Sequence, residues 1–181
     1  MSRLPLSAGH SLVADIEKIR VTASAPSVQL RLATQADVDA LFAIRLAVTD
    51  NALTREQLAD LGITPASIAE LVAAEACAWV ADVDGEVVGF SLVDLAAGEV
   101  FALFVRPDRQ GQGFGARLLA AAETALFRQH ALIWLVTDGA PAVRANGFYH
   151  AQGWRQVAHL QGTDVRYEKS RDAGQDVEAI V

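Results

Sequence analysis

Gly111, Gly113 and Gly115 alternate through Gln110-Gly111-Gln112-Gly113-Phe114-Gly115, just ahead of a helical pattern. Residues without side chains let a backbone approach a bulky anion. The first N–H groups of a helix have no internal partner and sit at the positive end of its dipole. A diphosphate is the natural guest of such a loop. Gly111, Gly113 and Ala116 also spell the dinucleotide-binding fingerprint with its permitted final alanine. However, Pro107-Asp108-Arg109-Gln110 separates those glycines from the preceding strand, and too little chain follows for a second mononucleotide half. No Lys-Ser or Lys-Thr follows the glycines, which excludes a P-loop. From the loop alone, a diphosphate cradle and a plain glycine-rich connection both stay open.

The elements around the loop narrow the choice. Val28–Leu32 alternates as a strand, and Thr34-Gln35-Ala36-Asp37 is a capping box opening a helix with Val38, Leu41, Ile44 and Val48 on its inner face. Thr54 and Thr64-Pro65 start two more helices, the first stopped by Gly62. Cys77–Val83 and Glu86–Leu95 read as strands joined by Asp84-Gly85, a strong hairpin signal. Val100–Val105 and Leu132–Thr137 are apolar enough to predict strands buried on both faces. Between them lies a helix from Gly113 to His130; Pro141–Gln152 is another, and Trp154–Leu160 and Val165–Lys169 close the order. The result is a mixed α/β sheet with antiparallel hairpins and one βαβ crossover. Residues 1–27 read as an extension and linker, 28–170 as the folded domain and 171–181 as a tail.

The strand, the Val-x-Pro-Asp link and Gln110-x-x-Gly113-x-Gly115 strongly resemble motif A of the Gcn5-related N-acetyltransferase (GNAT) superfamily. Downstream, Arg144-Ala145-Asn146-Gly147-Phe148-Tyr149-His150-Ala151-Gln152-Gly153-Trp154 resembles motif B. The resemblance covers roughly Val28 to Lys169. It implies a mixed central sheet with a splayed parallel strand pair flanked by helices. It also implies acyl transfer from acetyl-CoA to an amine by direct attack, with acetyl-CoA as donor substrate. Backbone near Leu103, Phe104 and Val105 would hold the pantetheine arm, and Gln110, Gly111, Gln112, Gly113, Phe114 and Gly115 the pyrophosphate, with Phe148 beside it. Tyr149 occupies the general-acid position, with packing on the CoA sulfur region as its other reading. Glu99 stands where some members hold a base, but reads first as an exposed strand-edge carboxylate. One departure is Ala142, where members often carry a CoA-contacting Asn.

The acceptor pocket is expected between the first helices and the strand tips. Arg45 and Asn51 are its candidate residues, Arg45 as a carboxylate partner against a solvated or salt-bridged helix arginine. Phe101 and Trp134 are candidates to line that pocket but read first as core. The alternative function is a non-catalytic acyl-CoA-binding or regulatory domain; a nucleotide-dependent oxidoreductase fits the displaced glycines poorly.

Bulk properties bound the partners. The 181 residues carry a formal net charge of −7, which disfavours nucleic acid and anionic membranes and leaves room for a small-molecule or protein amine. One cysteine, Cys77, excludes an intrachain disulfide and reads as a core thiol. The four histidines lack metal-ligand spacing, so no metal is expected. With no apolar run of membrane length and no signal peptide, the chain reads as cytoplasmic. The resemblance adds a possible homodimer.

Overall fold

The computed structural model describes residues 27–49 and 52–171. Apart from Ser27 and Arg171, the extension and tail read from sequence lie outside those residues, as does Asn51. Seven strands form one sheet: β1 (Val28–Leu32), β2 (Ala78–Val83), β3 (Glu86–Asp94), β4 (Glu99–Val105), β5 (Leu132–Asp138), β6 (Arg155–His159) and β7 (Asp164–Ser170). Their spatial order is β1-β2-β3-β4-β5-β7-β6, antiparallel throughout except for β4 beside β5. The β2–β3 hairpin turns on Asp84 (φ 53°) and Gly85 (φ 87°), the paired positive φ values a two-residue turn demands.

Among the described residues, five α-helices accompany the sheet: α1 (Val38–Ala47), α2 (Arg55–Asp60), α3 (Pro65–Ala74), α4 (Phe114–Leu126) and α5 (Arg144–Ala151). The Asp37 carboxylate accepts from the Thr34 N–H at 2.8 Å, and Arg31 of β1 holds that carboxyl down at about 2. This ties the mouth of α1 to the sheet. Val38, Leu41, Ile44 and Val48 are all buried, as their spacing predicts. Helix α4 ends at Leu126, short of the predicted His130; Phe127, Arg128 and Gln129 tighten into turns instead, and His130 bonds the Leu95 carbonyl.

Helix α4 lies close on β3. A Cβ at Gly89 would meet the Phe104 carbonyl at 2.9 Å and Leu118 Cδ1 at 3.1 Å, so only glycine permits the approach. Beside it, buried Ser91 donates to the Leu118 carbonyl at 3.1 Å. Farther along, Glu123 accepts from Trp154 Nε1 and Lys169 Nζ, both at 2.7 Å, joining α4 to β7 and to the turn after α5. Cys77 is fully buried, and burial pushes its thiol up to about 11.

The two central strands correct the sequence reading. Phe101 is 48% exposed, Leu132 46% and Val136 37%, so neither strand is buried on both faces. The pairing explains it. Leu92 faces Ala102 while Val93 faces Val100, leaving Phe101 unmatched as a β-bulge. A bulge bends its strand and raises its twist. β4 and β5 share one registered pair, Glu99 with Trp134, before the bulge and diverge after it.

Candidate active site

The divergence leaves a slot along one edge of β4. The Arg106 N–H bonds the Val88 carbonyl at 2.9 Å, toward β3. Strand alternation then turns the backbone groups of Val105 and Leu103 into the slot and those of Phe104 toward β3. The slot runs out onto the glycine loop. Gln110 Nε2 donates to the Val105 carbonyl at 3.2 Å, so this side chain braces the loop. Gly111 and Gly113 have φ of 74° and 84°, which other residues adopt at a cost, and a Cβ on either would meet nothing within 4 Å. The space above them is therefore open to a ligand. Gly113 caps α4, and the Arg117 N–H makes the first helical bond, to Gly113 O. The N–H groups of Phe114, Gly115 and Ala116 stay at the helix mouth. Arg106 and Arg109 pair with Glu86 and Asp108 at the foot of the loop and hold it against the β2–β3 hairpin.

Helix α5 reaches the same place. The Phe148 ring would lie 3.6 Å from a Cβ on Gly115. Tyr149, 7% exposed, packs between Phe148 (centroids 5.3 Å apart), Tyr167 (5.7 Å) and Trp154 (6.2 Å). Burial drives its phenol well above the ordinary tyrosine range, so it stays protonated at neutral pH. Asn146 caps the entry to α5, donating to the Asp138 carbonyl at 3.1 Å and to the carbonyls of Ala140 and Val143 at 3.3 Å.

The opposite face of β4 carries a different chemistry. Asp94 pairs with Glu99, Leu92 with Ala102 and Phe90 with Phe104, and the bulge adds Phe101 to that face. There a cavity of about 150 Å³ is walled by Phe42 and Arg45 of α1, Leu58 of α2, Phe90 of β3, and Phe101 and Phe104 of β4. The Arg45 guanidinium sits 4.7 Å above the Phe104 ring. It is buried to 9% exposure, which lowers its pKa, so the solvated reading does not hold. Glu99 shares this face of the sheet without lining the cavity. Burial first and the Asp94 charge second raise its pKa, with Arg166 opposing. Trp134 is not core: its indole donates to the Ala97 carbonyl at 2.9 Å, and Arg166 stacks on its ring at 4.3 Å. Among the described residues, no group of three or more His, Cys, Asp or Glu could hold a metal ion. No helix there is long and apolar enough to cross a membrane.

Known proteins share this fold. The PaiA N-acetyltransferase of Thermoplasma acidophilum, solved with coenzyme A, superposes with a TM-score of 0.69 at 17% identity, over 80% of this chain and 99% of that one. YncA of Salmonella typhimurium, solved with acetyl-CoA, gives 0.62 at 17%, over 84% and 99%. These likenesses establish the fold. In sequence, the acetyltransferase (GNAT) domain family matches residues 74–156. An uncharacterized N-acetyltransferase of Archaeoglobus fulgidus is 38% identical over 89 residues. In sequence and in fold the chain is thus similar to the GNAT superfamily. That alignment takes in 42% of this chain and 58% of the archaeal protein, so the chain spans little more than half of that relative.

Within the chain, the glycine loop and α5 meet where Phe148 packs on Gly115. The bulge at Phe101 and the walls at Phe42 and Leu58 escaped sequence reading. The unbroken apolar run Val100–Val105 was the available signal, and a fully buried strand gives the same pattern.

Proposed function

We propose that the chain is an acyl-CoA-dependent N-acyltransferase moving acetyl from acetyl-CoA to an amine. The observation that carries this reading is the β4–β5 slot running directly into the open glycine loop at the mouth of α4. A slot edged by the backbone of Leu103 and Val105 suits an extended amide-bearing arm. The Gly111–Ala116 N–H groups suit its diphosphate. A slot-facing backbone N–H, at Leu103 or Val105, polarises the thioester carbonyl and stabilises the oxyanion.

In this reading the amine nitrogen bonds to the thioester carbon, and the carbon–sulfur bond then breaks. Tyr149, protonated through its burial, gives its proton to the departing sulfur and recovers one from solvent. Glu99, through water, takes the proton that the amine must lose. Phe148 steers the arm past Gly115. Free CoA thiol and an N-acetyl amide are the products, with no acyl group on the enzyme.

The test is thiol release from acetyl-CoA across a panel of amines, with acetyl-CoA binding measured in parallel. Release that depends on an amine supports the reading. Binding without release above hydrolysis would replace it with the non-catalytic acyl-CoA-binding domain.

A further inference from the structure

The cavity under α1 lies across β4 from the slot and has a volume of about 150 Å³. An apolar cavity of roughly that size holds a benzene-sized body. Its walls include Phe42 of α1, Leu58 of α2, Phe90 of β3, and Phe101 and Ala102 of β4. Among the described residues that line it, none is an acid and Arg45 alone carries a charge. That guanidinium is already engaged and sits over the Phe104 ring, so it serves here as wall. A second ammonium buried in this space would lose its water and find no carboxylate. A methylene or a ring would gain by leaving water.

We infer that the cavity selects the acceptor by an uncharged apolar body on its amine, a branched alkyl group or a single aromatic ring, and that Phe101 and Ala102 set the selection. Arylalkylamines and branched alkylamines are that class, and polyamines are not. The inference rests on the acyltransferase reading and adds the acceptor's class to it. Three features converge on it. The bulge turns Phe101 and Ala102, neighbours in sequence, both toward the cavity, so the strand that edges the donor slot also walls this space. Both residues lie past the one registered β4–β5 pair, Glu99 with Trp134, where the strands have parted. A body seated against them therefore holds its amine beside the gap that leads to the slot. Finally, Ala102 is the smallest residue in the described lining, so the room for that body depends on it, while half-exposed Phe101 forms the wall that meets solvent.

A graded series tests it: thiol release from acetyl-CoA with ethylamine, propylamine, isoamylamine and phenethylamine, and with pentylamine against 1,4-diaminobutane, which puts an ammonium where pentylamine has its methyl. Along the alkyl series kcat/KM should rise about fourfold for each carbon buried, and phenethylamine should match or exceed isoamylamine. Pentylamine should exceed the diamine by about tenfold or more. In Ala102→Leu, which fills the space, the ratio of phenethylamine to ethylamine should fall toward one. In Phe101→Ala it should fall by about fivefold. A flat series or a preferred diamine overturns the inference, as does a rise that survives both substitutions. Should Ala102→Leu not fold, the wild-type series and Phe101→Ala decide. A wild-type preference for hexanoyl-CoA over acetyl-CoA, lost in Ala102→Leu, would assign the cavity to the donor's acyl chain and overturn it too. Release with ethylamine but no gain from apolar bulk sinks this inference alone. No release with any amine sinks the acyltransferase reading, and the inference with it.

Discussion

The two sides of β4 do different work with different parts of the chain. Toward β5 and α4 the strand presents main chain: Leu103 and Val105 edge a slot that ends on glycines with φ near 80°. Toward α1 it presents rings and one cation: Phe101, Phe104 and, stacked on the latter, Arg45. On the acyltransferase proposal, the main-chain edge would read what every acyl-CoA shares, an extended arm and a diphosphate, and the side-chain wall would read what differs between acceptors. A single residue, the bulged Phe101, creates both surfaces, since it bends β4 away from β5 and turns an extra side chain to the cavity.

The largest effect should come from a residue that serves the chemistry and neither binding surface. Tyr149→Phe keeps the ring in its aromatic packing and removes only the hydroxyl. We expect kcat to fall about hundredfold, the usual worth of a general acid, with the KM for acetyl-CoA unchanged. An unchanged kcat would return Tyr149 to a packing role. Since burial raises its pKa above the ordinary value, the wild-type rate should show no loss from Tyr149 ionisation up to about pH 10.

The glycine loop gives a second and smaller contrast. Gly113 holds φ 84°, where an L side chain costs about 1–2 kcal/mol, so Gly113→Ala should raise the KM for acetyl-CoA about tenfold. At Gly115 a Cβ meets Phe148 at an ordinary 3.6 Å, and Gly115→Ala should change that KM by no more than about twofold. Equal effects would mean that space above the loop, not backbone conformation, sets donor binding.

This difference between the surfaces also decides what the sequence could show. The glycine loop was legible because positive φ admits few residue types, which favours glycine at Gly111 and Gly113 and leaves a pattern in the sequence. The capping boxes and the Asp84-Gly85 turn were legible for the same local reason. The cavity across β4 was not. Its walls come from α1, α2, β3 and β4, and any apolar residue of fitting size could stand at Phe42 or Leu58. Val100–Val105 was misread as doubly buried because hydrophobic runs do not record whether a neighbouring strand has splayed away. Arg45 was visible as a charge on an apolar helix, but its stacking on Phe104 needed the fold.

Phe101→Ala tests whether the cavity across β4 takes the acceptor. The side chain is 48% exposed, so its truncation should cost little stability. It should raise the acceptor KM about fivefold, through lost apolar contact, and leave the KM for acetyl-CoA within about twofold. A shift in the donor KM instead would show that the two sides of β4 are not separable.

Glu99 gives the smallest and most discriminating effect, because its two roles predict opposite signs. Burial and Asp94 raise its pKa, so the folded state favours the protonated carboxyl. Its favourable contribution is then complete below the unfolded-state value, about 4.3, and is lost as pH rises through the folded value. Above that point the ionised carboxylate is a liability to the fold. Glu99→Gln, fixed in a neutral form, should therefore melt slightly higher than wild type near pH 8, with the advantage shrinking as pH falls toward 4. If Glu99 also accepts the amine's proton, the same variant loses rate, and the acid limb of the wild-type kcat/KM profile, set above the ordinary carboxylate range, disappears. A variant that gains stability and loses rate marks a charge kept for function. One that gains stability and keeps its rate reduces Glu99 to a strand-edge carboxylate, and leaves the amine to arrive already neutral.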